Sequence, residues 1–264
     1  MPRSSPVLRL CELAPLAGRL VAVASAGSFP APRVLVLWDI DHTLIETRGV
    51  GFTIYQRAFP AATGRPLGKL AQISGRTELG IMRETLRVNG IEPTGESVTK
   101  LATALIDGYE RAREELAATG RALPGATAAL ERLATAPQVY QGVLTGNLRD
   151  VARIKLEIFG LDTRLDLEAS AYGDDHSERP ELVAIAQARA SGRTGTLFDN
   201  QHTVLIGDTP QDIEAGLTAG VRVIAVASGK TNLEQLRTAG ATITVNDLTD
   251  SEHIAQLITH IATE

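Results

Sequence analysis

The sequence predicts a parallel α/β sheet, and three observations support that fold class. Short, continuous apolar runs recur along the chain, and each is typical of a strand that is buried on both faces. Each run is followed by apolar residues at helical spacing. Gly or Pro stands where several of these helices would begin or end. Strands that alternate with helices in this way indicate a doubly wound, Rossmann-like core.

The four predicted strands fall at similar apolar runs. The first is Val34–Trp38, and the others cover residues 139–144, 204–206 and 221–226. Apart from Arg222, these runs contain no charged residue, which favours strands in the interior of a parallel sheet.

Helices are predicted directly after the second and third runs. Val151, Ile154 and Ile158 share one helical face, and Gly160 follows at the expected end of that helix. The next helix begins with Pro210 in its first turn and ends at Gly220. Pro is favoured in a first turn and Gly just past a last turn, so both boundaries are marked.

A helical insertion interrupts the alternation after the first strand. Residues 51–120 show helical periodicity and no convincing strand, and Val98 to Leu116 reads as one long helix. We therefore predict an α/β core at residues 34–50 and 121–264 and a helical cap at 51–120, with a flexible N-terminal extension at 1–33. An insertion at this point leaves the sheet at the edge where ligands bind in such folds.

Composition excludes several classes of protein. The chain has 264 residues, 44% of them hydrophobic, which is too many for a disordered chain. A net charge of −5 argues against a nucleic-acid partner, and the single cysteine excludes an internal disulfide. Its longest apolar stretch is interrupted by Arg19, so we expect neither a membrane span nor secretion. We expect a cytoplasmic protein, and both a monomer and a homodimer are compatible with the sequence.

Polar residues stand where three predicted strands end, and these ends should meet at one edge of the sheet. They are Asp39 and Asp41, then Thr145, Gly146 and Asn147, then Asp208 and Asp212. Carboxylates brought together in one crevice repel one another unless a cation lies among them, and hard oxygen ligands favour Mg²⁺. The hydroxyl and amide beside them are suited to phosphate oxygens.

The pattern resembles the haloacid dehalogenase superfamily. Three short motifs occur in the family's order: DIDHTL at 39–44, LTGN at 144–147 and GDTPQD at 207–212. Its remaining signature is a basic residue, often lysine, for which Arg179 before Pro180 is the best match. Each motif alone is weak, but three in order at the ends of predicted strands are specific. The resemblance is to phosphoglycolate-phosphatase-like members with a helical cap.

The resemblance implies roles for the acidic residues. Asp39 would be the nucleophile that forms an aspartyl-phosphate. Asp41 would be the general acid and then the general base. The metal would be held by the carboxylates of Asp39 and Asp208 and the backbone carbonyl of Asp41, with Asp212 as a further or outer ligand.

The same resemblance assigns the phosphate and substrate contacts. Thr145, Gly146 and Asn147 would bind the transferring phosphoryl group, and Arg179 would offset its charge. Arg76, in a Gly-containing turn of the insertion, would contact the rest of the substrate.

These features predict a Mg²⁺-dependent phosphatase acting on a small phosphorylated metabolite. Asp41 argues against dehalogenation, because dehalogenating members lack an acid at that position. Three alternatives stay open: a phosphomutase, a phosphonate hydrolase using Lys69 or Lys100 as a Schiff base, and a catalytically idle binding protein.

Overall fold

The computed structural model describes residues 33–261 of the chain. Its strands are β1 (Val34–Trp38), β2 (Ile45–Glu46), β3 (Arg121–Ala122), β4 (Val139–Val143), β5 (Thr203–Gly207), β6 (Arg222–Val226) and β7 (Ile243–Val245). Its α-helices are α1 (Val50–Thr63), α2 (Glu78–Val88), α3 (Gly95–Arg111), α4 (Arg113–Thr119), α5 (Ala126–Ala134), α6 (Arg149–Ile158), α7 (Glu181–Thr194), α8 (Pro210–Ala219), α9 (Leu233–Thr238) and α10 (Ser251–Ile261). Apart from Arg33, the predicted N-terminal extension lies outside the described residues.

A parallel sheet forms the centre of the molecule. Within residues 33–261, five strands pair in the order β4-β1-β5-β6-β7, and every pairing is parallel. Strand β1 therefore lies between β4 and β5, and the carboxyl ends of these three strands meet at one edge. The predicted α/β fold class is confirmed.

Helices cover both faces of the sheet because side chains alternate along each strand. From β1, Val34, Val36 and Trp38 enter a core cluster with α5 and α10. Leu35 and Leu37 enter a second cluster with α7 and α8 on the opposite face. All five residues of β1 are fully buried, which explains why the strand reads as a continuous apolar run.

Helices α1 to α4 form the insertion between β1 and β4 and have an apolar cluster of their own. That cluster also includes Val151 and Ile154 of α6, whereas Ala152 and Leu156 of the same helix pack on the sheet. Helix α6 therefore joins the insertion to the core. Among residues 33–261, no helix is long and apolar enough to span a membrane.

The structure corrects the prediction of one long helix at 98–116. The helix ends at Arg111, and α4 begins at Arg113. Ala112, between them, has φ −94° and ψ 11° and is buried. Alanine is the strongest helix former, so the sequence carries no signal for this break.

Three short strands were not predicted from the sequence. Strands β2 and β3 pair over two residues each, and β7 has three residues, all half-buried. Runs this short show no measurable periodicity, so neighbouring structure determines them.

Candidate active site

Three loops bring the predicted site residues together at the carboxyl edge of the sheet. Asp39 follows β1 directly, and its amide donates to the carbonyl of Ile206 at 2.8 Å. Thr145 lies two residues beyond β4, and Asp208 follows β5 directly. Asp39, Thr145 and Asp208 are all buried, so these three side chains are shielded from bulk water.

Asp39, Asp208 and Asp212 form an acidic cluster in which one carboxylate oxygen from each lies within 4.8 Å of the others. Thr43 donates to Asp208 at 3.3 Å. The chain passes close by at Gly229, where a Cβ atom would lie 1.9 Å from Oδ2 of Asp208. Glycine at this position therefore leaves room for that carboxylate.

The pKa values of two of these carboxylates are raised. Burial and the nearby Asp212 raise the pKa of Asp39 to about 7. Burial and Asp39 raise the pKa of Asp208 to about 8. A divalent cation among these oxygens would offset the repulsion, so the residues fit a divalent metal ion.

Arg179 provides the cation that was predicted beside Asp39. It precedes α7, and its Nη2 atom donates to Asp39 at 2.8 Å and to Asp212 at 2.5 Å. Burial alone would lower the pKa of Arg179, but the two carboxylates outweigh it and raise the pKa. Arginine therefore occupies the charge-balancing position and stays protonated.

Both carboxylate oxygens of Asp212 accept hydrogen bonds. Its Oδ1 accepts from Arg179, and its Oδ2 accepts from the Thr209 amide at 3.0 Å and the Thr209 hydroxyl at 2.6 Å. Thr209 and Asp212 thereby form a capping box at the start of α8. These contacts favour Asp212 as the residue that orients Arg179 and the Asp208 loop.

Asn147 connects the second motif to Asp41. Its Nδ2 atom donates to Asp41 Oδ2 and to Thr145 Oγ1, both at 2.8 Å. The Asn147 side chain is thus occupied in holding Asp41, while the Thr145 hydroxyl keeps its proton for another acceptor.

Lys155 of α6 also reaches this site, and sequence reasoning missed it. Its ammonium donates to both carboxylate oxygens of Asp41, at 2.8 and 2.7 Å, and to Asn147 Oδ1 at 2.7 Å. The Lys155 side chain is only 3% exposed. A signal was present: Lys155 lies four residues after Val151 and three before Ile158, on the apolar face of the helix. A lysine there has to find a buried partner.

Lys155 and Asp41 change each other's pKa. Burial alone would raise the pKa of Asp41, but the Lys155 ammonium holds it below its usual range. Burial alone would lower the pKa of Lys155, but Asp41 and Tyr109 raise it. Both groups are therefore charged in this structure.

The insertion is bonded directly onto the core loops. The Glu78 amide donates to Gly146 O at 2.6 Å, and the Thr77 hydroxyl donates to Ser177 O at 2.8 Å. At Gly146, a Cβ atom would lie 2.2 Å from the carbonyl oxygen of Arg76. The insertion therefore covers the second motif at close range.

The structure does not place the Arg76 side chain among the acidic residues. Its guanidinium makes long contacts with Gln72 O and Gly80 O, at 3.4 and 3.5 Å. It lines a neighbouring cavity of about 330 Å³, together with Ser177, Arg179 and Gln211.

Glu78 is a second ionisable residue beside the site that the sequence analysis did not single out. It begins α2, and the Tyr55 hydroxyl donates to its carboxylate at 2.9 Å. Burial raises the pKa of Glu78 to about 7. Its position at a helix start made it indistinguishable from an ordinary first-turn acid in the sequence.

Residues 36–226 match the family model described as haloacid dehalogenase-like hydrolase. No curated protein matched the chain.

Solved structures share the fold at low sequence identity. A hydrolase from Pseudomonas syringae has a TM-score of 0.63 at 23% identity, covering 85% of this chain and 99% of its own. A proposed β-phosphoglucomutase from Bacteroides vulgatus has a TM-score of 0.62 at 17% identity, covering 89% and 92%. A structure described as a predicted phosphoglycolate phosphatase from Haemophilus somnus has a TM-score of 0.59 at 19% identity, covering 85% and 98%.

Proposed function

Because this chain belongs to the haloacid dehalogenase-like hydrolases, we propose that it is a phosphatase that hydrolyses a small phosphorylated metabolite through a phosphorylated Asp39. The observation that carries the proposal is the crevice itself. It joins a buried carboxylate, Asp39, to a cation, Arg179, and to a second carboxylate, Asp41, that is held in place nearby. These are the groups that phosphoryl transfer to a carboxylate requires.

The reaction proceeds in two steps. In the first, an Asp39 oxygen forms a bond to phosphorus while the bond to the leaving oxygen breaks, and Asp41 gives that oxygen a proton. In the second, water attacks phosphorus, Asp41 takes a proton from the water, and the bond to Asp39 breaks. Inorganic phosphate leaves, and both carboxyl groups return to their starting state.

Asp41 has to be protonated for the first step and ionised for the second. Lys155 and the substrate phosphate shift the pKa of Asp41 in opposite directions. Lys155 favours the carboxylate, which is the form needed to accept a proton from water. An incoming phosphate dianion disfavours a second negative charge nearby and so favours the protonated form needed for the first step.

The proposed cofactor is Mg²⁺. Asp39 and Asp208 would hold it with their carboxylates, and Asp41 would hold it with its backbone carbonyl. Asp212 would orient the Asp208 loop through its hydrogen bond with the Thr209 amide. When bound, Mg²⁺ supplies positive charge that neutralises phosphate oxygens and the crowded carboxylates.

Other residues orient the phosphoryl group and balance its charge. The Thr145 hydroxyl and the backbone at Gly146 and Asn147 would donate to phosphate oxygens. Arg179 would offset the negative charge that Asp39 and the phosphoryl group share.

We further propose that residues 51–120 act as a cap domain over a core formed by 34–50 and 121–264. The direct bonds from Thr77 and Glu78 to the core loops support this role. The cap would exclude water and select the substrate, with Arg76 beside the crevice as a contact for an anionic group. We propose a small metabolite as the substrate of this enclosed site and the cytoplasm as the location of the protein.

The alternatives have different support. Lys69 and Lys100, the candidates for a Schiff base, are both exposed, and Lys100 pairs with Glu96 at 2.7 Å. The buried lysine of the site, Lys155, is held protonated by Asp41, which opposes attack on a carbonyl. A phosphomutase would use the same Asp39 chemistry and return the phosphoryl group to a sugar.

The proposed function is tested by phosphate release from p-nitrophenyl phosphate with and without Mg²⁺. We expect release that depends on Mg²⁺ and stops when a chelator is added. A panel of phosphorylated metabolites then identifies the substrate. Isomerisation of a sugar phosphate without phosphate release would indicate the mutase, and metal binding without turnover of any ester would indicate the idle binding protein.

A further inference from the structure

Lys155 is buried in the candidate site without a role in binding phosphate or metal. All three of its ammonium protons are directed at neighbouring acceptors, two at Asp41 and one at Asn147. These contacts lead to Asp41 both directly and through Asn147, whose amide also donates to Asp41. We therefore expect an effect of Lys155 on the reaction to act through that carboxylate.

We propose that Lys155 is a positioning residue that fixes the Asp41 carboxylate for proton transfer, an inference that rests on the proposed function. Two donors hold Asp41 from one side. Lys155 bonds both of its oxygens, and Asn147 bonds one of them at 2.8 Å. The Asp41 side chain is otherwise 37% exposed, so without these contacts it would sample other rotamers.

The surroundings of Lys155 hold the ammonium itself in place. Helix α6 is clamped between two apolar clusters, with Ile154 packed toward the insertion and Leu156 toward the sheet. From the insertion, the Tyr109 ring lies with its centroid 5.2 Å from the Lys155 nitrogen, a cation–π distance. Through its contact with Tyr109, Lys155 thereby connects the packing of the insertion against the core to the position of Asp41.

The test is a double-mutant cycle with Lys155→Met and Asp41→Asn, measured with p-nitrophenyl phosphate and Mg²⁺. Methionine matches the length of lysine and suits a site beside an aromatic ring. In the wild-type background we expect Lys155→Met to lower kcat about 10- to 100-fold and to change KM by less than about 3-fold, because phosphate contacts are kept. In the Asp41→Asn background we expect less than about a 3-fold loss, because no carboxylate is left to position.

Controls separate positioning from a structural role. Lys100→Met removes an exposed lysine of α3 that pairs with Glu96, and it should leave kcat unchanged. Thermal melting should show that Lys155→Met is folded, since Asp41 stays partly hydrated after the exchange. If Lys155→Met does not fold, the cycle is repeated with Lys155→Arg, which keeps the buried cation but cannot reproduce the ammonium's geometry.

Each outcome decides the assignment. An equal loss in both backgrounds would mean that Lys155 acts on the structure and not through Asp41, and an unchanged kcat in the wild-type background would also overturn the assignment. A wild-type protein that releases no phosphate from any ester would contradict the proposed function, and the role of Lys155 with it. An active wild type with additive losses would contradict the role of Lys155 alone.

Discussion

Asp39→Asn is expected to abolish phosphate release, with kcat at least about 10³-fold lower, because an amide cannot accept the phosphoryl group from the ester. The measurement is phosphate release from p-nitrophenyl phosphate at saturating Mg²⁺. The fold should survive the change. Burial already raises the pKa of Asp39 to about 7, so the folded state does not favour its charge, and Arg179 keeps Asp212 as a partner.

The matched control is Asp107→Asn, which makes the same chemical change at an exposed position on α3. It should retain full activity. Release that persists in Asp39→Asn, after repurification to remove contaminating phosphatases, would exclude Asp39 as the nucleophile.

Asp208→Asn is expected to weaken Mg²⁺ binding and to remove most of the activity. Asparagine keeps the shape of the side chain and can still accept from Thr43, but it loses the charge that binds a divalent cation. We expect kcat at least about 10²-fold lower and a higher Mg²⁺ requirement. Initial rates over a Mg²⁺ titration measure both quantities.

Glu214→Gln is the control for that experiment, because Glu214 is an exposed carboxylate on the neighbouring helix α8. Its titration curve should match that of the wild type. If Asp208→Asn gives the wild-type curve instead, Asp208 does not bind the metal.

Much of the fold could be predicted because burial determines the pattern of the central strands. Strand β1 is buried along its whole length, so its sequence is an unbroken apolar run. Gly160 marked the end of α6, Pro210 and Gly220 marked the start and end of α8, and both glycines adopt positive φ angles in the structure. Family membership followed from three motifs placed at strand ends, and the family model confirms it.

The elements that could not be predicted depend on tertiary contacts. Strand β7 and the β2–β3 pair are too short to carry a period, and the break at Ala112 falls on a residue that favours helix. Local sequence contains no information about such features, because distant parts of the chain impose them.

In the candidate site, the sequence indicated which residues gather but not how they pair. The backbone near Asn147 was expected to bind the phosphoryl group, but the sequence did not indicate that the Asn147 side chain donates to Asp41 and Thr145. Lys155 was overlooked because it belongs to no motif. Its partner Asp41 lies 114 residues away in the chain, so only the fold shows the pair.

The most direct test of the central claim is to trap the phosphate on Asp39. In Asp41→Asn the base for water is removed, whereas p-nitrophenolate leaves readily without an acid, so the phosphorylated chain should accumulate. We expect a burst of about one p-nitrophenolate per chain, and borohydride reduction after quenching should convert residue 39 to homoserine. Turnover by this variant with Asp39 unmodified, or with the phosphate on another residue, would contradict the mechanism.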